Sequence, residues 1–260
     1  MMKKHTIYLT KQCNCRCKYC YQDNFDKIYL WEDIKKQLDY IIKNKYKVVE
    51  FIGGEPFLVF DLLKKCYNYL NSVNKDITYY ISTNGTIINK NIIEFIKEHD
   101  NIYLFISLDG NEEMNKLRID KNNNETFNIV VNNIKKLIDN GLQKRLIVHM
   151  VLHNYNVSCL FEGIIFLQKL GILNIDIGII EKTQKINKQF CIDFINQHLK
   201  ISKNIKKKNI KINIFTLMYE PNITIQNKFD EINQFIRNIV YKNHLLIMKG
   251  DNFNYESRIK

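Results

Sequence analysis

Thr10-Lys11-Gln12-Cys13-Asn14-Cys15-Arg16-Cys17-Lys18-Tyr19-Cys20-Tyr21 directly follows the alternating apolar run His5–Thr10, and its cysteine spacing decides how the rest of the chain is read. Cys13, Cys17 and Cys20 form a CxxxCxxC triplet on one tight loop. Three thiolates so placed can hold three irons of a four-iron four-sulfur cluster, whereas ordinary electron-transfer clusters take four cysteines. One iron is then left open for chemistry. A structural zinc site usually needs a second ligand pair at matching spacing, and the remaining Cys66, Cys159 and Cys191 stand alone. Cys15 is a complication. As a fourth ligand it would close the cluster and make an electron carrier, but its side chain is only two residues from both Cys13 and Cys17, which favours the open site.

Outward from that loop, hydrophobic periodicity gives a repeating strand-then-helix pattern. Strands are expected at His5–Thr10, Lys47–Ile52, Asp76–Ser82, Asn101–Ser107, Gln143–Leu152 and Leu173–Ile180. Helices, with apolar residues three and four apart, are expected at Trp31–Lys43, Phe57–Ser72, Asn89–His99, Thr126–Asn140 and Val157–Leu170. Such βα units with right-handed crossovers make a parallel sheet, closed or partly closed. After about Glu181 the pattern weakens to a helix near Phe190–Ile205, a strand near Ile210–Leu217, a helix near Asn227–Val240 and an apolar run at His244–Met248. The expected division is a core over 1–180 and a short α/β extension over 181–260 covering the open side.

The chain has only 9 Gly and 2 Pro, yet four of the Gly and one Pro fall in Gly53-Gly54-Glu55-Pro56, Ser82-Thr83-Asn84-Gly85 and Ser107-Leu108-Asp109-Gly110. Each segment ends an expected strand, as the cysteine loop does. In parallel α/β architectures that edge is where sites are built. Gly53-Gly54-Glu55-Pro56 further places a carboxylate on backbone that a ligand can approach closely, which suits a ligand's ammonium group.

On these motifs the chain resembles the radical S-adenosylmethionine enzymes. The cysteine triplet, Tyr19 before its last cysteine and the Gly-Gly-Glu-Pro after the second strand match that superfamily's pattern. Leu9–Tyr21, Ser82–Gly85, Ser107–Gly110 and Thr126-Phe127…Asn133-Ile134 are similar to the branch of anaerobic sulfatase-maturating enzymes and radical maturases of ribosomally made peptides. The resemblance covers roughly residues 5–180. It implies a partial (β/α)6 barrel with one four-iron four-sulfur cluster on Cys13, Cys17 and Cys20, chelated at its open iron by S-adenosylmethionine. By the same carry-over Glu55 and the backbone of Gly53 and Gly54 hold the methionine amine, with Pro56 beside them in the cofactor-binding turn. Tyr19 packs near the adenine, Ser82 and Asn84 lie near the ribose, and Ser107 and Asp109 line the methionine side. Arg118 stands out because Lys outnumbers Arg 34 to 5 in this chain, so its planar fork is expected to meet the carboxylate of S-adenosylmethionine or a nearby phosphate-like or carboxylate group.

Two departures from that branch bear on substrate. The His-Asp pair common after Ser-Leu-Asp-Gly is replaced by Asn115-Lys116, and with Cys191 the last cysteine a cysteine-rich extension for auxiliary clusters is not expected. The expected activity is reductive cleavage of S-adenosylmethionine and hydrogen abstraction from a peptide or protein, with an external electron donor such as flavodoxin or ferredoxin. A redox-neutral outcome such as epimerisation fits the few cysteines, with Cys159 and Cys191 as candidate hydrogen donors. The alternatives are activation of a glycyl-radical enzyme, modification of a small molecule, or a non-enzymatic electron carrier.

Charge and composition exclude other classes. The 39 basic against 27 acidic residues give +12, but the Lys residues are scattered over helix faces and Arg is scarce, so a solvated surface is read rather than a nucleic-acid partner. No window approaches the roughly 18 apolar residues of a membrane span, and Met1–His5 leads straight into a strand without a signal-peptide core. A cytoplasmic protein with reduced cysteines is expected. Cys66 is read as packing, His149 as a satisfied barrel histidine and His153 as exposed.

Overall fold

The computed structural model describes residues 4–22, 24–180, 187–204 and 211–214. Seven strands, β1 (Lys4–Thr10), β2 (Val48–Gly53), β3 (Thr78–Thr83), β4 (Ile102–Ser107), β5 (Leu146–Leu152), β6 (Asn174–Ile179) and β7 (Lys211–Ile214), form one sheet in sequence order. Every adjacent pair is parallel. Because the order never reverses and crossovers are right-handed, the connecting helices all lie on one face and leave the other concave. Among the described residues β1 and β7 do not pair, so the barrel is open.

Helices α1 (Trp31–Lys43), α2 (Phe60–Val73), α3 (Lys90–Glu98), α5 (Phe127–Asp139), α6 (Leu160–Lys169) and α7 (Lys188–Asn204) follow from their apolar stripes, whereas the single turn α4 (Glu112–Asn115) starts at Asn111, whose side chain accepts from Met114 N–H. In α1, Ile34, Leu38 and Ile41 recur at helical spacing and are fully buried, while Glu32 and Asp33 in the first turn and Lys43 in the last complement the dipole. The strands show the sidedness directly. Along β4 the residues Ile102, Leu104 and Ile106 are buried under the helices, and Tyr103, Phe105 and Ser107 are half-buried on the concave face. β3 and β5 alternate in the same way.

The expected strands and helices are found, with shifted ends. The run from Phe57 begins as a 3-10 turn over Pro56–Val59, because the Glu55 carboxylate accepts from the Phe57 N–H and Pro56 starts the turn. Short 3-10 turns also take Gln143–Arg145 and Val157–Cys159 from the expected β5 and α6. α7 and β7 repeat the βα unit once more, so the sheet goes on past six strands. The expected helix near 227–240 and the run at 244–248 lie outside the described residues. Cys66 is fully buried.

Candidate functional site

The ends of β1 and β2 run on as paired backbone into their loops. Gly54 N–H donates to Thr10 O at 2.8 Å and Glu55 N–H to Gln12 O at 2.8 Å. Only glycine allows this approach: a Cβ on Gly53 would lie 2.3 Å from Thr10 O, and one on Gly54 2.2 Å from Gln12 O. The other edge of the cysteine loop pairs with the segment after β4. Arg16 N–H donates to Ile119 O (2.7 Å), Lys18 N–H to Leu117 O (2.9 Å) and Lys121 N–H to Asn14 O (3.2 Å). From the third side, Asn84 Nδ2 donates to Asn14 Oδ1 (2.9 Å) and reaches Cys13 Sγ (3.7 Å), while Asn14 Nδ2 donates to Thr86 Oγ1 (2.8 Å). The β3 loop is tied down in turn by Asn133 of α5, whose Nδ2 donates to Gly85 O and Thr86 O at 2.9 and 3.1 Å. Four consecutive strand ends are therefore one hydrogen-bonded body.

Glu55 is fully buried. Its carboxylate accepts from Phe57 N–H (3.0 Å), Asn84 N–H (2.7 Å) and Thr83 Oγ1 (2.8 and 3.0 Å to its two oxygens). Burial pushes its pKa up to about 7 against the pull of those donors, none of which is a cation. The carboxylate thus anchors the Gly-Gly-Glu turn to β3, while the turn's backbone faces the cysteine loop.

Asp109 at the end of β4 is also fully buried. It accepts from Tyr19 Oη at 2.5 Å, Arg118 Nη2 at 2.7 Å and Val151 N–H at 2.9 Å. The guanidinium lies 5.3 Å from the Tyr19 ring centroid. Burial opposes its charge, but the Asp109 carboxylate outweighs that and keeps it cationic. Burial likewise holds the Tyr19 phenol protonated. His153 is buried, not exposed as the sequence suggests, because its ring lies 5.5 Å from that of Tyr19. Burial lowers its pKa and leaves it neutral.

Cys15 is buried with its thiol between those of Cys13 and Cys17, and these contacts, then burial, push its pKa far up. The same contact lowers Cys13 and brings Cys17 to about 7, with Arg118 adding to the effect at Cys17. Burial raises Cys20.

On the concave face, Ser82 Oγ donates to Glu50 Oε1 at 2.7 Å, while Lys4 and Thr6 contact the other carboxylate oxygen, Oε2. Ser107 registers with His149 on β5, and His149 with Asp176 on β6, its Nδ1 2.7 Å from Asp176 Oδ2. Cys191 is buried in the core, and Cys159 packs against that core just before α6. The structure therefore brings Tyr19, Asp109 and Arg118 together, and Asn84 and Glu55 together. It seats Ser82 deeper in the barrel, and Cys159 and Cys191 with the hydrophobic layer. Sequence reasoning places Asn14 and Thr83 inside its motifs and singles out Arg118, but it gives no sign of their bonding partners, of Thr86 or of the backbone pairing along 117–121; the Asn133 that recurs in the resemblance was the available signal.

The fit to a cluster and S-adenosylmethionine rests on three observations. Three cysteines are free thiols on one loop. Among the described residues no cation pairs with the buried Glu55 carboxylate, a charge that a ligand's ammonium would balance. Arg118 Nε is buried without a hydrogen-bond partner. Among the described residues no group of three or more His, Cys, Asp or Glu side chains is arranged for a single metal ion, and none of the helices is long and apolar enough to cross a membrane.

A family model described as the Radical SAM superfamily matches residues 7–167. An uncharacterized protein of Methanocaldococcus jannaschii is 32% identical over 218 residues, covering 82% of this chain and 71% of its own. A cysteine-type anaerobic sulfatase-maturating enzyme of Clostridium novyi is 38% identical over 143 residues, 49% of this chain and 38% of that enzyme. Among solved structures, anSMEcpe with bound AdoMet and Kp18Cys peptide superposes with a TM-score of 0.70 at 18% identity, over 81% of this chain and 63% of that one. Streptococcus suis SuiB superposes with a TM-score of 0.65 at 18% identity, over 82% of this chain and 48% of SuiB. The chain thus spans between about a third and two thirds of the Clostridium novyi enzyme, anSMEcpe and SuiB.

Proposed function

The chain belongs to the radical S-adenosylmethionine superfamily, enzymes that use a four-iron four-sulfur cluster and S-adenosylmethionine, and from that premise we propose that it modifies a peptide or protein substrate. What carries the reading is the single hydrogen-bonded body at the C-terminal strand edge, in which the cysteine loop is bonded to the Gly-Gly-Glu turn, the β3 loop and segment 117–121 at once. The peptide assignment is supported by neighbours recorded with peptides, SuiB with precursor peptide SuiA and anSMEcpe with Kp18Cys peptide, and by an open barrel with aromatic side chains on its concave face.

In this reading Cys13, Cys17 and Cys20 hold the cluster. The backbone at Gly53–Glu55 receives the methionine amine, with the Glu55 carboxylate behind it to balance the charge. Tyr19 backs the adenine, and Ser107 lines the methionine side. When bound, the cluster and S-adenosylmethionine supply the electron and the 5′-deoxyadenosyl radical that removes a hydrogen atom from substrate. The protein's part is orientation and exclusion of water. His149, its imidazole fixed by Asp176, stands below that site on the wall a substrate would meet. Residues 181–260 are assigned as an extension of the core, and a low-potential flavodoxin or ferredoxin as the electron source.

Anaerobic reconstitution, dithionite and S-adenosylmethionine should give 5′-deoxyadenosine by mass spectrometry, and a short peptide encoded beside this chain's reading frame should change mass in the same mixture. 5′-Deoxyadenosine with no change in any such peptide, but consumption of a small molecule or activation of a neighbouring glycyl-radical enzyme, would reject the peptide assignment.

A further inference from the structure

The pairing between the cysteine loop and segment 117–121 is antiparallel. Arg16 bonds to Ile119, Lys18 to Leu117, Asn14 to Lys121, and Cys15 bridges Asp120. In that register Cys17 falls directly opposite Arg118. Residues so opposed in an antiparallel pair share a face, with Cβ atoms about 4.5–5.5 Å apart. Arg118 is held there from both ends. Its backbone N–H donates to Asn115 O, and its carbonyl accepts from Thr126 N–H and Oγ1. Its guanidinium is gripped by the buried carboxylate of Asp109.

We propose that Arg118 is a positioning residue that sets the reduction potential of the cluster, its buried cation opposite Cys17 favouring the reduced state and Asp109 limiting how strongly it does so. The proposal rests on reading Cys13, Cys17 and Cys20 as the cluster ligands. Its physics is charge in a poorly solvated site. Reduction adds one negative charge to the cluster, and a cation opposite one of its thiolates stabilises that charge far more when buried than in water. Net charge around a cluster is among the levers by which proteins set its potential. A Lys would keep the charge but not the planar fork that lets one side chain bond Asp109 while covering the Tyr19 ring. The ion pair is also needed for the loop itself, since Asp109 joins Tyr19, Val151 and Arg118 in one place.

Two roles therefore need separating, charge and scaffold, and they predict different signs. The test is an EPR-monitored redox titration of the reconstituted full chain without S-adenosylmethionine, for the parent, Arg118→Gln, Arg118→Lys and Asp109→Asn. Arg118→Gln should shift the balance at fixed potential at least tenfold toward the oxidised cluster, about 59 mV for a one-electron couple. Asp109→Asn should shift it toward the reduced cluster, and Arg118→Lys should stay within about threefold of the parent. Shifts of the same sign in Arg118→Gln and Asp109→Asn, or none in either, overturn the proposal. So does an unchanged potential in Arg118→Gln accompanied by loss of S-adenosylmethionine binding, which would make the guanidinium a ligand of the cofactor's carboxylate. If Arg118→Gln takes up no cluster, the sign for Asp109→Asn decides alone: a shift toward the reduced cluster supports the proposal, and any other result overturns it. A parent chain that gives no reduced-cluster signal overturns the ligand reading itself, and the proposal with it.

Discussion

Gly54→Ala is expected to pry the cysteine loop away from the β2 end. The new Cβ would lie 2.2 Å from Gln12 O and 2.6 Å from both Gln12 C and Lys11 O. All three are backbone atoms, so no rotamer change relieves the clash. Bringing the closest contact out to an acceptable 3.0 Å needs a retreat of about 0.8 Å. The Glu55 N–H to Gln12 O bond, 2.8 Å in the native chain, would stretch to about 3.6 Å, which no longer counts as a hydrogen bond. Loss of that bond and strain on its neighbour from Gly54 N–H to Thr10 O contribute roughly 1–2 kcal/mol, and overpacking adds about 1–3 kcal/mol. A total of about 2–5 kcal/mol is a large part of the stability of an ordinary domain. Gly141→Ala is the control. It has open space for a Cβ and only a φ of +79° against it, a cost of about 1–2 kcal/mol. Urea unfolding followed by circular dichroism gives both values, and iron bound per chain after reconstitution reports the loop. If Gly54→Ala costs no more than Gly141→Ala and binds iron as fully, the reasoning about this junction is wrong.

Three further outcomes are expected. Cys13→Ser, Cys17→Ser and Cys20→Ser should each lose the four-iron cluster while Cys15→Ala keeps about four irons per chain; cluster loss in Cys15→Ala alone, or about eight irons in the parent, would refute the ligand assignment. Glu55 has a folded pKa near 7, above its ordinary value of 4.5, so its protonated form favours the folded chain, an advantage complete below pH 4.5 and lost as pH rises through 7. S-adenosylmethionine, needing the ionised form, should bind with proton release below pH 7 and weaken by up to tenfold per pH unit there; calorimetry in two buffers reads this, and a pH-independent affinity refutes it. Asn133→Ala should cost about 2–3 kcal/mol, because the carbonyls of Gly85 and Thr86 lose their buried donor; a change under about 0.5 kcal/mol in urea unfolding would show that the β3 loop does not depend on it.

What the sequence determined by itself was everything carried by local periodicity and by rare residues. The stripe Ile34, Leu38, Ile41 marks α1 to the residue, Trp31–Lys43, since helix period and dipole charges are short-range properties. The scarce glycines after β2, β3 and β4, with the cysteines after β1, locate the site, because close backbone approach tolerates no Cβ. The tertiary structure alone decided which side chains meet across those loops. Glu55 turns inward to Thr83, 28 residues away. Asp109 takes its proton donor from Tyr19, 90 residues away, and its cation from Arg118, and His153 is buried because it packs against that same Tyr19. Cys17 faces Arg118 only because two loops with no shared pattern run antiparallel in one register. Such pairings are set by the closure of distant chain segments and by the cost of leaving a buried charge alone, and neither is written in the spacing of neighbours.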